Sequence, residues 1–179
     1  QDLKRRSTME DGNNNEIRII TTGGTFDKLY DEIRGELTFK DSHLPRILEQ
    51  SKCTIKTNVE NCLAIDSLYM NDEHRLKIAQ SCKRSPEHMI VVIHGTDTMV
   101  ETAKVVAEKL GEDTNKTIVL TGAMVPYALE SSDSVFNLGC AITAVQLKGP
   151  GVYICMSGRI FDYDNVRKNK AKGIFETLD

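Results

Sequence analysis

The stretch IRIITTGGTF, Ile17 to Phe26, decides the fold, because a run dominated by β-branched isoleucine passes without a spacer into a turn of threonine and glycine. The same design recurs where Met89-Ile90-Val91-Val92-Ile93 passes into HGTDTM, His94 to Met99. Short, almost continuously apolar runs that end at glycine-bearing turns read as strands buried on both faces. Working outward, the other expected strands are Cys53 to Asn58, Asn61 to Ile65, Thr117 to Thr121 and Gly151 to Met156. Between them lie stripes at helical spacing: Leu44, Ile47 and Leu48; Leu76, Ala79 and Cys82; Val100, Ala103, Ala107 and Leu110; and Val135, Leu138, Ile142 and Val145. Strand and helix in alternation predict an α/β fold, a mostly parallel sheet flanked by helices on both faces. In such a sheet the loops leaving the carboxyl ends of the strands share one crevice. The two threonine-bearing turns are therefore expected to face a common ligand.

A chain of 179 residues, 40% of them apolar, has material for one good core. Residues 16–179 are expected to form that single domain, behind a polar, aperiodic tail over residues 1–15. The net charge of -3 offers no general attraction to nucleic acid. No apolar run is long enough to span a bilayer, and the N-terminal residues lack the apolar core of a signal peptide, so no membrane partner is expected. Five cysteines, an odd number without a CxxC pair, read as free thiols in a reducing compartment, and the chain as cytoplasmic.

In TTGGTF, Gly23 and Gly24 accept positive φ and let the backbone approach a ligand closely. The spacing matches neither GxGxxG nor a P-loop, so the turn is either an ordinary glycine turn with a solvated threonine or a mount for a reactive Thr25. In HGTDTM, Thr98 stands three residues before Glu101 at the head of an apolar stripe, the pattern of a capping box. Thr96 and Asp97 remain in the turn. Thr96 can act as nucleophile or donor, and Asp97 can either receive an ammonium group or cap the helix. His94 reads as structural rather than as a base. A third junction, TGAM, follows Ile118-Val119-Leu120, and its small Gly122 and Ala123 would let backbone carbonyls line a pocket. The segment YDNVRKNKAK carries Arg167, Lys168, Lys170 and Lys172, a pattern usual for a solvated surface.

TTGGTF, HGTDTMVETA and TGAM, in this order and at these separations, closely resemble the bacterial-type L-asparaginase and glutaminase-asparaginase family, over the chain from about Ile17 to its end. The resemblance implies a Rossmann-like N-terminal asparaginase domain. The usual members carry a second domain that completes the site across a subunit contact, so this chain resembles a short, single-domain form without the acidic residue of that domain. Carried over by position, Thr25 is implied as the acylated nucleophile, on a loop beside Gly24 that closes over substrate. Thr96, Lys168 and Asp97 match the family's second group, with Gly95 beside them. Ser67, in IDSLYMND, matches the serine that holds the substrate carboxylate; Asp97 would also hold its amino group, and the Ala123 carbonyl would orient the amide. Leu68 stands where longer members have a glutamine, and Tyr30 is the substitute for a tyrosine that normally lies farther downstream.

The implied reaction is hydrolysis of L-asparagine to L-aspartate and ammonia through a threonine-linked acyl intermediate, a route that divides one difficult step into two. It requires no metal and no organic cofactor, and the family's habit implies a homo-oligomer, a dimer or higher. Two other readings stand beside it: a non-catalytic module that binds or senses asparagine, and an amidase for glutamine or a larger amide.

Overall fold

The computed structural model describes residues 15–38 and 42–179, apart from the side chains of Tyr30 and residues 36–38. The expected tail, except Asn15, lies outside the described residues. In chain order the elements are β1 (Ile17–Thr21), β2 (Leu29–Asp31), β3 (Glu36–Thr38), α1 (Leu44–Gln50), β4 (Thr57–Asn61), α2 (Asp72–Arg84) and β5 (Met89–Ile93). They continue as α3 (Met99–Leu110), β6 (Thr117–Thr121), α4 (Ser134–Leu147), β7 (Gly151–Met156), β8 (Arg159–Asp162), β9 (Arg167–Asn169) and β10 (Ile174–Glu176). Six of the strands form one sheet in the order β4-β1-β5-β6-β7-β8, parallel except for the final antiparallel pairing of β7 with β8. Two small hairpins, β2 with β3 and β9 with β10, stand apart from it.

Alternation along each strand divides the core between two faces. Ile17, Ile19, Val91, Ile93, Val119 and Cys155 pack under α1 and α4, whereas Ile20, Ile90, Val92, Ile118, Leu120 and Ile154 pack under α2 and α3. Burial on both faces is why these strands read as almost continuous apolar runs. The crossovers through α3 and α4 each step one strand in the same direction, yet the two helices cover opposite faces, so their hands are opposite. The α1 and α2 crossovers share the hand of α3. Since parallel crossovers are overwhelmingly right-handed, the α4 crossover is the left-handed exception.

Three expectations need correction. The strands expected over Cys53 to Asn58 and Asn61 to Ile65 are one strand, β4, whose TNVEN lies half exposed at the sheet edge, so its apolar pattern is too weak to mark it. Thr98 is the N-cap residue of α3 but makes no side-chain cap; its hydroxyl donates instead to the Ser67 carbonyl at 2.8 Å. Val135 faces solvent, because α4 buries Ser134, Asn137, Leu138, Ala141 and Val145.

The opposite end of the sheet is held by charge. The buried Glu87 carboxylate accepts two hydrogen bonds from Arg18, at 2.9 and 3.1 Å, one from Ser85 at 2.7 Å and one from Asn58 at 2.9 Å. Burial opposes its charge, but the bonds from Arg18 and Ser85 outweigh it and hold the carboxyl down at about 2. A depressed carboxylate contributes stability that is present above its ordinary pKa of 4.5 and lost as pH falls toward 2. Glu87→Ala should cost about 2–4 kcal/mol in urea titrations at neutral pH, with the gap to wild type closing as the solution is acidified. Equal midpoints would show the cluster to be unimportant.

Candidate active site

The turns after β1 and β5 emerge side by side, because these two strands are neighbours in parallel register, with Thr21 opposite Ile93. Strand order reverses there: β4 lies on one side of β1, and every later strand on the other. In an open α/β sheet this is where ligands bind. Thr22 fastens the first turn to the end of β5, its N–H and hydroxyl both donating to the Ile93 carbonyl, at 3.1 and 2.7 Å.

The turns then touch backbone to backbone. Gly24 has φ of 84°, and a Cβ on it would stand 2.5 Å from the Gly95 nitrogen. A Cβ on Gly95 would in turn meet the Ser67 Oγ at 2.6 Å. No larger residue fits either position without moving a neighbour. Thr25, partly exposed, follows Gly24; Thr96, almost buried, follows Gly95; and Ser67 is buried against the same contact. The structure therefore brings the turns bearing Thr25, Thr96 and Ser67 to one place.

Thr25 opens a single 3-10 turn, Thr25–Asp27, whose later residues are pinned from three sides. Phe26 is buried and its carbonyl accepts from the Tyr127 N–H at 3.3 Å. Asp27 accepts from the His43 N–H at 3.1 Å and the Ser42 hydroxyl at 3.0 Å, and burial raises its carboxyl above the ordinary range against these bonds. Lys28 reaches Asp66, at 2.7 Å, beside Ser67. The β2–β3 hairpin follows; the side chain of Tyr30, expected to assist the nucleophile, lies outside the described residues.

On the other side, the β9–β10 hairpin delivers Lys168. Its ammonium donates to the Thr96 Oγ1 at 2.8 Å and to the Asp97 Oδ1 at 3.0 Å, with only 14% of its side chain exposed. Arg167, by contrast, pairs with Glu176, and Lys170 is exposed, so one residue of the basic run leaves the surface pattern. Ala123 is buried in the loop after β6. Asp133 shapes that loop by accepting from the N–H groups of Met124 and Val125, and the buried Asn137 by donating to the Gly122 carbonyl at 2.9 Å while accepting from the Ser157 N–H. Sequence reasoning misses Lys28, Asp66, Asp133 and Asn137, none of which carries a signal of its own, because the partners that give them a place are brought together only by the fold.

His94 supports the site from below. It is fully buried, with its Nδ1 2.7 Å from the Gly95 carbonyl and its Nε2 2.7 Å from the Thr102 hydroxyl. The carbonyl can only accept, so Nδ1 carries the proton and Nε2 accepts from Thr102. Burial, with a small repulsion from Arg75, pushes its pKa down to about 4, which keeps the ring neutral and structural.

The Asparaginase, N-terminal family model matches residues 16–176. The chain belongs to the asparaginase family. It is 34% identical over 155 residues, 82% of its length, to a glutamyl-tRNA(Gln) amidotransferase subunit of Saccharolobus islandicus, and spans only 34% of that relative. Over 166 residues it is 28% identical to a glutaminase-asparaginase of Acinetobacter glutaminasificans, covering 86% of this chain and 50% of the relative. Among solved structures, a probable cytoplasmic L-asparaginase of Campylobacter jejuni superposes with a TM-score of 0.77 at 29% identity, over 93% of this chain and 54% of the other. The thermostable L-asparaginase of Thermococcus kodakarensis shares the fold, with a TM-score of 0.78 at 24% identity over 91% of this chain and 51% of that one. The chain thus spans about a third to a half of the relatives it matches.

The buried His94 gives a pH signature. Between its folded value of about 4 and its ordinary 6.5, the unfolded chain binds a proton that the folded chain excludes, so stability falls as pH drops through this window. The loss should approach about 3 kcal/mol. His94→Gln, which keeps a donor for Gly95 and an acceptor for Thr102, should flatten the dependence; identical slopes in the two proteins would show that His94 does not carry it.

Proposed function

We propose that residues 16–179, acting as one asparaginase-like α/β domain, hydrolyse the side-chain amide of free L-asparagine. The supporting observation is the Lys168 ammonium held on both Thr96 and Asp97, beside the turn that carries Thr25. Thr25 Oγ1 attacks the amide carbon while its proton passes to the amide nitrogen, through the Tyr30 hydroxyl or through the Thr96 hydroxyl that the Lys168 ammonium orients. The tetrahedral intermediate, its nitrogen now protonated, expels ammonia and leaves an ester on Thr25. Water then attacks the same carbon, releasing L-aspartate and returning the proton to Thr25.

The remaining groups fit this course. Because Lys168 donates to the Thr96 oxygen, the Thr96 hydroxyl proton is free to turn toward a ligand, and bonding to a cation makes it a stronger donor. In this proposal the Thr96 N–H steadies charge developing on the carbonyl oxygen, a contribution typically of about 10²–10³ in rate. Asp97 meets Lys168 through Oδ1, leaving Oδ2 for the substrate ammonium, while Ser67 takes its carboxylate and the Ala123 carbonyl its amide nitrogen. No step calls on a metal or an organic cofactor. The unpaired cysteines fit a cytoplasmic setting.

One finding favours a second reading, glutamine or a larger amide as the substrate: relatives at 34% identity are subunits of a glutamyl-tRNA(Gln) amidotransferase. Asparagine and glutamine differ by one methylene, worth only about 1–3 kcal/mol to a pocket. Ammonia release from each amide separates the readings. We expect asparagine to be preferred, Thr25→Ala to fall to background, and Thr96→Ala and Lys168→Met each to lose about 10²–10⁴ in kcat. Undiminished hydrolysis in Thr25→Ala would overturn the proposal. Calorimetric binding of asparagine with no ammonia would replace it with a sensing role.

A further inference from the structure

We infer that Lys28 and Asp66 form a clasp that closes the Thr25 turn onto the Ser67 turn, making both positioning residues for amide hydrolysis. The inference rests on the proposed reaction for its catalytic part, and on geometry alone for the clasp. The two residues are 38 positions apart in sequence, yet their charged atoms meet at 2.7 Å with about a fifth of each side chain exposed. Lys28 is the residue directly after the 3-10 turn that Thr25 opens, and its own N–H donates back to the Thr25 carbonyl at 3.3 Å. Asp66 directly precedes Ser67.

Asp66 uses its two oxygens differently. Oδ2 binds the Lys28 ammonium, and Oδ1 accepts from the Leu68 N–H at 3.0 Å, capping the 3-10 turn Ser67–Tyr69. One carboxylate therefore sets the shape of the Ser67 turn and ties it to the turn of Thr25. The carboxyl is kept below its ordinary range by these bonds even though burial opposes its charge. Glycine makes such a tie necessary. Thr22 holds the entry of the turn through its bonds with Ile93 and Ile65, but with φ of 99° and 84° at Gly23 and Gly24 the chain between Thr22 and Thr25 can pivot, so the position of Thr25 also needs contacts downstream. Phe26 and Asp27 anchor the turn to the α1 side of the fold and to the loop at Tyr127, whereas Lys28 alone carries a side-chain bond from it to the turn bearing Ser67 among the described residues. Partly exposed ion pairs contribute little to global stability, so the effect is one of placement. A displacement of about 1 Å at a reacting group can cost about a hundredfold in rate.

Hydrogen–deuterium exchange on the full chain, read beside steady-state ammonia release, tests this with Lys28→Met, Lys28→Arg and Asp66→Asn. Asp66→Asn keeps an oxygen to cap the Leu68 N–H but carries no charge. Exchange over residues 22–29 should accelerate about tenfold in Lys28→Met and Asp66→Asn, remain near wild type in Lys28→Arg, and leave α3 and α4 unchanged. In the same variants kcat should fall about tenfold or more and recover in Lys28→Arg, with melting temperatures within about 2 °C of one another. Unchanged exchange would overturn the clasp, as would acceleration spread over the helices, the mark of general destabilisation. Faster local exchange with unaltered kcat would overturn the positioning role. Faster local exchange in the variants of a wild-type protein that releases no ammonia would uphold the clasp and remove the proposed reaction instead.

Discussion

Parallel pairing of β1 with β5 at the point where strand order reverses is the constraint on which the rest depends. With Thr21 opposite Ile93, the next residues of both strands have to leave from the same edge, and Thr22 binds the first turn to the last carbonyl of the second strand. Three of the proposed site residues follow within four residues of that edge: Thr25 on one turn, Thr96 and Asp97 on the other. The apolar runs thus do more than fill a core. They fix where two polar turns meet.

Close approach of the turns depends on what is missing as much as on what is present. Gly24, Gly95 and Gly122 stand where a Cβ would strike a neighbouring turn, so backbone can lie directly against backbone. Around this contact the charged groups are distributed by range. His94 is neutral and buried beneath Gly95, Lys168 bridges Thr96 and Asp97 from the β9–β10 hairpin, and the Lys28–Asp66 pair spans the outer side. A hydroxyl in these surroundings is acted on by fixed donors rather than by mobile solvent, which is how preorganised sites gain their electrostatic advantage.

Much of this is legible in the chain. The strands that carry the two signature turns are readable because burial on both faces leaves them apolar apart from Arg18 and the terminal Thr21, and all four helices show an apolar stripe. What cannot be read has physical causes. β4 sits at an edge, half solvated, and its TNVEN has no pattern to betray it. Thr98 satisfies the local grammar of a cap, yet its hydroxyl finds a better-placed acceptor in the Ser67 carbonyl, 31 residues away. Lys168 is indistinguishable from its basic neighbours until a hairpin turns it inward. Its role comes from the family resemblance, not from its own surroundings in the sequence. Lys28 and Asp66 are equally silent in the sequence, because their pairing is a product of the fold.

A crystal structure with the product L-aspartate bound would test the shared crevice most directly. The account predicts the side-chain carboxylate between the Thr25 and Thr96 hydroxyls, the ammonium on Asp97 and the main-chain carboxylate on Ser67. Aspartate bound elsewhere, or reaching only one of the two threonines while the other faces a different surface, would contradict it.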